Sequence, residues 1–198
     1  MDNSIKYLGA GIVGVILGIL IAPWFNTYPM MGTRQASIIT GQNIDRHFIE
    51  EMIPHHEGAI SMAKLALERS KRQEILSLAQ GIIEAQEREN KDMRGWYADW
   101  FGGTPSYSSG MGGMMGHGSM GMSMMGMEGD LGQLRAAEDF DLEFISQMIP
   151  HHEMAIMMAR MLAVSTDREE MKTLADNIIT SQSSEIQMMR GWYDAWSK

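Results

Sequence analysis

The sequence has no cysteine, which removes both a disulfide framework and any thiolate metal site. Basic residues are also short: 16 Lys and Arg against 25 Asp and Glu leave a net charge of −9. With no basic patch to offset that balance, nucleic acid is excluded as a partner. No stretch alternates apolar and polar residues with a period of two, so no sheet is expected. A chain of 198 residues with these gaps still has room for one sizeable core, or for two small ones.

What the chain has in excess is methionine, at 22 residues, and it has a repeat. Met52-Ile53-Pro54-His55-His56-Glu57 returns as Met148-Ile149-Pro150-His151-His152-Glu153. The likeness extends without a gap over Asp45–Trp100 and Asp141–Trp196, at a constant offset of 96 and with roughly half of the positions identical. Two copies are too few for a solenoid and fit two halves of one bundle.

Before the repeats, Tyr7 to Phe25 carries no charge and is long enough to cross a bilayer as a helix. Aromatic residues flank it, and no small-residue cleavage site follows, so residues 1–28 are expected to be an uncleaved anchor rather than a signal peptide. Membrane attachment through residues 7–25 places the rest at an inner or plasma membrane, facing the periplasm or the cell exterior. Residues 29–42 read as a tether. Repeat 1 occupies residues 43–101, with helices near Asn43–Arg69 and Arg72–Trp100. Repeat 2 occupies residues 135–198, with helices near Asp139–Val164 and Arg168–Trp196. Pro54 and Pro150 fall inside the first helix of each, where they are expected to kink it. The alternative is that each marks a helix start.

Residues 102–134 form a linker whose centre is almost wholly Met and Gly. Met111, Met114, Met115, His117, Met120, Met122, Met124, Met125 and Met127 supply thioethers and one imidazole. Thioether sulfur suits Cu(I), and flexible glycine lets several side chains converge on one ion. A disordered spacer is the plain alternative.

On a helical wheel Phe48, Met52, His55, Ala59, Met62 and Ala63 share a stripe, with His56 at its shoulder. The second helix carries Gln86, Glu89 and Met93 in its apolar stripe. Folding each hairpin about its turn sets His55 beside Gln86 and Met52 beside Glu89, and likewise His151 beside Gln182 and Met148 beside Glu185. Polar groups buried in a bundle need partners. The candidate metal ligands are therefore Met52, His55, His56, Met62, Gln86, Glu89 and Met93, with Met148, His151, His152, Met158, Gln182, Glu185 and Met189 in the second half. Cu(I) is favoured, Ag(I) should follow it, and zinc is the competitor. A structural hydrogen-bond network is the alternative. A di-iron oxidase needs more inward carboxylates than Glu89 and Glu185 provide, so an enzyme is not expected.

These residues resemble the DUF305 family, whose signature of two histidines followed by Ala and Met-Ala is matched at Met52–Ala63 and Met148–Ala159. The family's downstream pattern is matched by Gln86, Glu89, Met93 and Trp96, and by Gln182, Glu185, Met189 and Trp192. The resemblance implies a ferritin-like four-helix bundle, all α, outside the cytoplasm, and copper binding through His and Met in some members. Taken together, the expectation is a membrane-anchored protein that binds copper for buffering or tolerance. The rival reading is a metal-free adaptor bundle, with a ferritin-like oxidase third.

Overall fold

The computed structural model describes residues 41–106 and 130–198. The expected anchor at residues 7–25 and the Met-Gly centre of the linker lie outside the described residues. Among the described residues no helix is long and apolar enough to cross a membrane.

Four long helices make two hairpins: α1 (Gly41–Arg69) with α2 (Gln73–Phe101), and α4 (Phe140–Ser165) with α5 (Glu169–Trp196). A short helix, α3 (Leu131–Ala136), precedes the second hairpin. The described part is thus an all-α bundle of four main helices. Each hairpin turns on a hydroxyl that accepts a backbone N–H two residues on, Ser70 from Arg72 and Thr166 from Arg168, both at 3.1 Å. Acidic residues then open the outgoing helices, Glu74 in α2 and Glu169 and Glu170 in α5, where they complement the helix dipole. Pro54 and Pro150 sit within α1 and α4, so the helices do not start at them.

The hairpins pack mainly through α1 against α4. Ala59, Ala63, Ala155 and Ala159 are fully buried, and their small side chains let the two helices approach closely. Apolar residues gather in two clusters. One holds Met62, Leu65, Ile82, Phe144, Met148 and Met189; the other holds Phe48, Met52, Met93, Tyr97, Leu162 and Ile178. Sequence position assigns them to opposite ends of the bundle, because each takes one half of α1 and the opposite half of α4. Each end is latched by matched contacts between hairpins. Arg72 pairs with Asp141 at 3.0 Å and lies over Trp196, while Arg168 pairs with Asp45 at 3.2 Å and lies over Trp100. The tryptophans therefore pack the ends of the bundle, stacked as Trp96–Trp100 and Trp192–Trp196.

α3 was not expected. Asp130 caps it by accepting from the Gln133 amide at 2.8 Å, and Leu134 is fully buried against α1 and α4. Six residues are too few to show a helical period, so composition alone drew the boundary between linker and repeat 2 at residues 134 and 135, inside this helix.

Candidate metal centre

Between the two apolar clusters lies a belt of buried polar side chains. His55, His56, His151 and His152 are each at most 2% exposed, and Gln86, Gln182 and Asn90 are 3% exposed. The belt draws on both hairpins. The rings of His55 and His151 meet across the α1–α4 contact with centroids 3.8 Å apart. Within each pair the neighbouring ring is further off, 6.4 Å for His55–His56 and 6.3 Å for His151–His152.

The outer histidine of each pair meets a carboxylate of its own hairpin. His56 Nε2 lies 2.8 Å from Glu89 Oε2, and His152 Nε2 lies 2.6 Å from Glu185 Oε2. An ionised carboxylate only accepts, so each Nε2 is the donor, and the lone pair of a neutral ring lies on Nδ1. Both Nδ1 atoms are buried without a hydrogen-bond partner. This is how a metal-binding imidazole is commonly held, with its far nitrogen donating to a carboxylate that fixes ring and tautomer. The geometry thus gives Glu89 and Glu185 the role of orienting groups and leaves the donor atoms to the rings.

His55 is held neutral. Burial pushes its pKa well below the ordinary histidine value, and the neighbouring His151, His56 and His152 add to that shift. A contact with the His151 backbone opposes it, as the smallest of these influences. Neither ring nitrogen of His55 makes a well-formed hydrogen bond. A buried imidazole left in this condition costs stability unless something else uses its lone pair.

The side-chain bonds within each hairpin join residues offset from the levels that residue counting pairs. Glu89 bonds His56, one turn along α1 from Met52. Glu57–Arg94 and Glu153–Arg190 are displaced in the same sense. Side chains in a helix lean toward its N-terminus, so in an antiparallel pair the two leans run opposite ways along the axis. Folding the chain about the turn by residue number ignores that offset.

Met52 and Met148 are fully buried one turn from the histidines, and Met93 and Met189 are buried one turn beyond Glu89 and Glu185. The structure places the other two helical methionines elsewhere. Met62 is buried in an end cluster, and at about 1.5 Å rise per residue it is roughly 10 Å along the axis from His55. Met158 is half-buried at the edge of the opposite cluster. Asn90 was missed. Its counterpart at the 96-residue offset is Ile186, so the repeat gave no hint of it, although a lone Asn one turn after Gln86 was a visible signal. The candidates from Met111 to Met127, including His117, fall outside the described residues. Among the described residues no three His, Asp or Glu side chains form a ready-made cation site, so a centre here needs thioether donors or ring movement to be complete.

Two clefts between α2 and α5 reach the carboxylates that bond the outer histidines. One, of about 850 Å³, is lined by Glu89, Asp92, Trp96, Glu169 and Asp176 among others. The second, of about 330 Å³, reaches Glu185 past Leu78, Met188 and Trp192. Glu89 and Glu185 thus each face a cleft on one side and a buried histidine on the other.

The family profile described as "Domain of unknown function (DUF305)" matches residues 45–197. The chain belongs to the DUF305 family. A single match spans both hairpins, rather than one match for each repeat. Among solved structures, the chain is similar to CopM in the Cu(II)-bound form, with 48% identity, 77% of this chain and 97% of that chain covered, and a TM-score of 0.68. It is similar to CopM in the Cu(I)-bound form at 44% identity, covering 78% and 98%, with a TM-score of 0.67. CopM is also solved in an Ag-bound form, again at 44% identity. A DUF305 fragment from Deinococcus radiodurans matches at 26% identity, 79% and 99% coverage and a TM-score of 0.64. Among curated sequences, Uncharacterized protein L153 of Acanthamoeba polyphaga mimivirus is 41% identical over 54 residues, 27% of this chain and 36% of that protein.

Proposed function

We propose that this DUF305 protein binds copper, and silver in its place, in the histidine belt at the centre of the bundle. Cu(I) or Ag(I) is the favoured ion. The observation that carries this reading is the meeting of His55 and His151 across the two hairpins, with neither ring nitrogen of His55 in a well-formed hydrogen bond. The Nδ1 lone pairs of His56 and His152 add nitrogen donors, and Met52 and Met148 add soft sulfur. CopM, 44–48% identical, is solved in Cu(I)-, Cu(II)- and Ag-bound forms, which supports the same chemistry here. Zinc is the competitor, through the histidines and the two carboxylates.

The role is binding without catalysis, as a buffer or tolerance factor. The apolar run at residues 7–25 supports attachment to an inner or plasma membrane, with the bundle in the periplasm or outside the cell. The two halves, alike at roughly half of their positions and joined in equivalent ways, support descent from two copies of one ferritin-like hairpin unit. A second reading, a metal-free adaptor bundle, draws on the His56–Glu89 and His152–Glu185 bonds, which would serve to fix register.

Metal analysis of protein purified from copper-supplemented cells tests the proposal. Copper should be present in bound stoichiometry. Replacing His55, His56, His151 and His152 by Ala should remove the central equivalents while any held by the linker remain. No copper in the wild type, or no equivalents lost in the fourfold variant, would return the belt to a structural role.

A further inference from the structure

The bundle carries a groove between α1 and α4 at each end, and the two grooves are treated differently. At one end α3 fills the groove, with Leu134 buried among Met62, Leu65 and Phe144. Residues on α4 clamp it there. Gln147 Oε1 accepts from the Asp130 amide at 2.8 Å, and Glu143 Oε1 accepts from Gln133 at 2.9 Å.

The positions related by the 96-residue offset line the groove at the other end, a cavity of about 90 Å³ floored by Phe48 and Leu162. There Glu143 is answered by His47, Gln147 by Glu51, Leu65 by Met161 and Met62 by Met158. The two clamping residues have become an imidazole and a carboxylate one turn apart, and a packing leucine has become a thioether. Exposure follows the change: Leu65 is 2% exposed and Met161 is 57% exposed. His47 and Glu51 take part in no hydrogen bond or ion pair among the described residues. An exposed methionine next to an uncommitted histidine is poor packing and good soft-metal chemistry.

We propose that this groove is a second, surface site for a soft monovalent cation, Cu(I) or Ag(I). Met158 and Met161 give sulfur, His47 gives nitrogen, and Glu51 offsets the charge. It rests on the reading that this chain handles soft metals, but it does not use the central histidines. Met158 lies seven residues from His151 on α4, roughly 10 Å along the axis, so the two sites are separate.

Ag(I) titration of the full chain labelled with methyl-¹³C methionine, in chloride- and thiol-free buffer, reads each thioether by itself. Methyl signals are assigned by Met→Leu substitution. The Met158 and Met161 methyls should shift together and saturate at one equivalent. His47→Gln should weaken that response at least tenfold while leaving the Met52 and Met148 responses in place. Met161→Leu, which restores the residue of the covered groove, should have the same effect on Met158. Still Met158 and Met161 signals beside moving Met52 and Met148 signals would overturn the groove site alone. The reverse pattern would overturn the central reading and keep the groove. Protection of the Met161 methyl from a soluble paramagnetic agent, with no shift, would identify a groove covered by another part of the chain and also overturn the proposal.

Discussion

Replacing His55 by Leu separates a metal-binding belt from a structural one, because the two readings predict opposite signs. His55 is 2% exposed and neither of its nitrogens makes a well-formed hydrogen bond. A buried polar group left unsatisfied costs about 1–3 kcal/mol. Leucine is close in volume to histidine and has no polar atom, so the substitution removes that cost and gives up only part of the ring contact with His151. A net gain of about 1–2 kcal/mol is expected for the metal-free protein. For a chain of this size that raises Tm by about 2–8 °C. Acid sensitivity should change with it. In the folded protein His55 stays neutral well below the ordinary histidine pKa, while in the unfolded chain it protonates near pH ~6.5. Below that pH the unfolded state holds more protons, so stability falls as pH falls, by up to about 1.4 kcal/mol per pH unit, until the folded pKa is reached. The contribution is fully present above the unfolded value and is the part that His55→Leu abolishes. Ag(I) supplies the third readout. At a hundredfold excess over Kd a ligand stabilises the folded state by about 2.7 kcal/mol, and the variant should lose the share of that shift due to the belt. Thermal melts of wild type and variant between pH 5 and pH 8, with and without Ag(I), measure all three. A variant that is less stable by 1 kcal/mol or more in metal-free buffer, with its acid slope and Ag(I) shift intact, would refute the reasoning.

Glu89→Leu and Glu185→Leu remove the acceptors that fix the His56 and His152 tautomers, and should weaken Cu(I) binding by about 10–100-fold in competition with a chelator. Glu89→Gln keeps an acceptor and should lose much less; equal losses would make the carboxylate itself a ligand. Excising residues 111–127 should leave Tm nearly unchanged, since a bundle connection needs few residues, while lowering the number of Cu(I) ions bound under reducing conditions. A large drop in Tm on excision would show that this segment packs against the bundle.

Much of the architecture was legible in the sequence because helices advertise themselves by period. The expected spans end within two residues of α1, α2, α4 and α5, including the passage through Pro54 and Pro150. The histidine pairs were legible as an inward feature because each sat on the stripe that carries Met52 and Ala59. The contact between His55 and His151 was not. Folding each hairpin on itself relates residues of the same hairpin, whereas this pair depends on how α1 meets α4, and the alanines of that contact do not announce which helix they will face. The bond between His56 and Glu89 was not legible, because residue counting treats side chains as perpendicular to the axis. α3 was missed for want of length, and with it the difference between the two ends of the bundle.

That difference shows what the repeat does and does not impose. The histidines, Glu89 with Glu185 and Met52 with Met148 agree between the halves and gather in the middle of the bundle, where both hairpins contribute to one belt. Toward the ends each hairpin has different neighbours: Leu65 is replaced by Met161, and even the matched pair Tyr97 and Tyr193 differs in surroundings. Tyr97 is 1% exposed and bonds Glu50 at 2.6 Å, while Tyr193 is 39% exposed. Stability is accordingly concentrated in the two apolar clusters and their Arg–Asp latches, away from the belt. A band of buried polar side chains in the core is tolerable only if the packing on either side of it suffices to hold the helices. The segregation along the axis supplies that condition, and it leaves the middle of the bundle free to keep polar donors that folding alone does not call for.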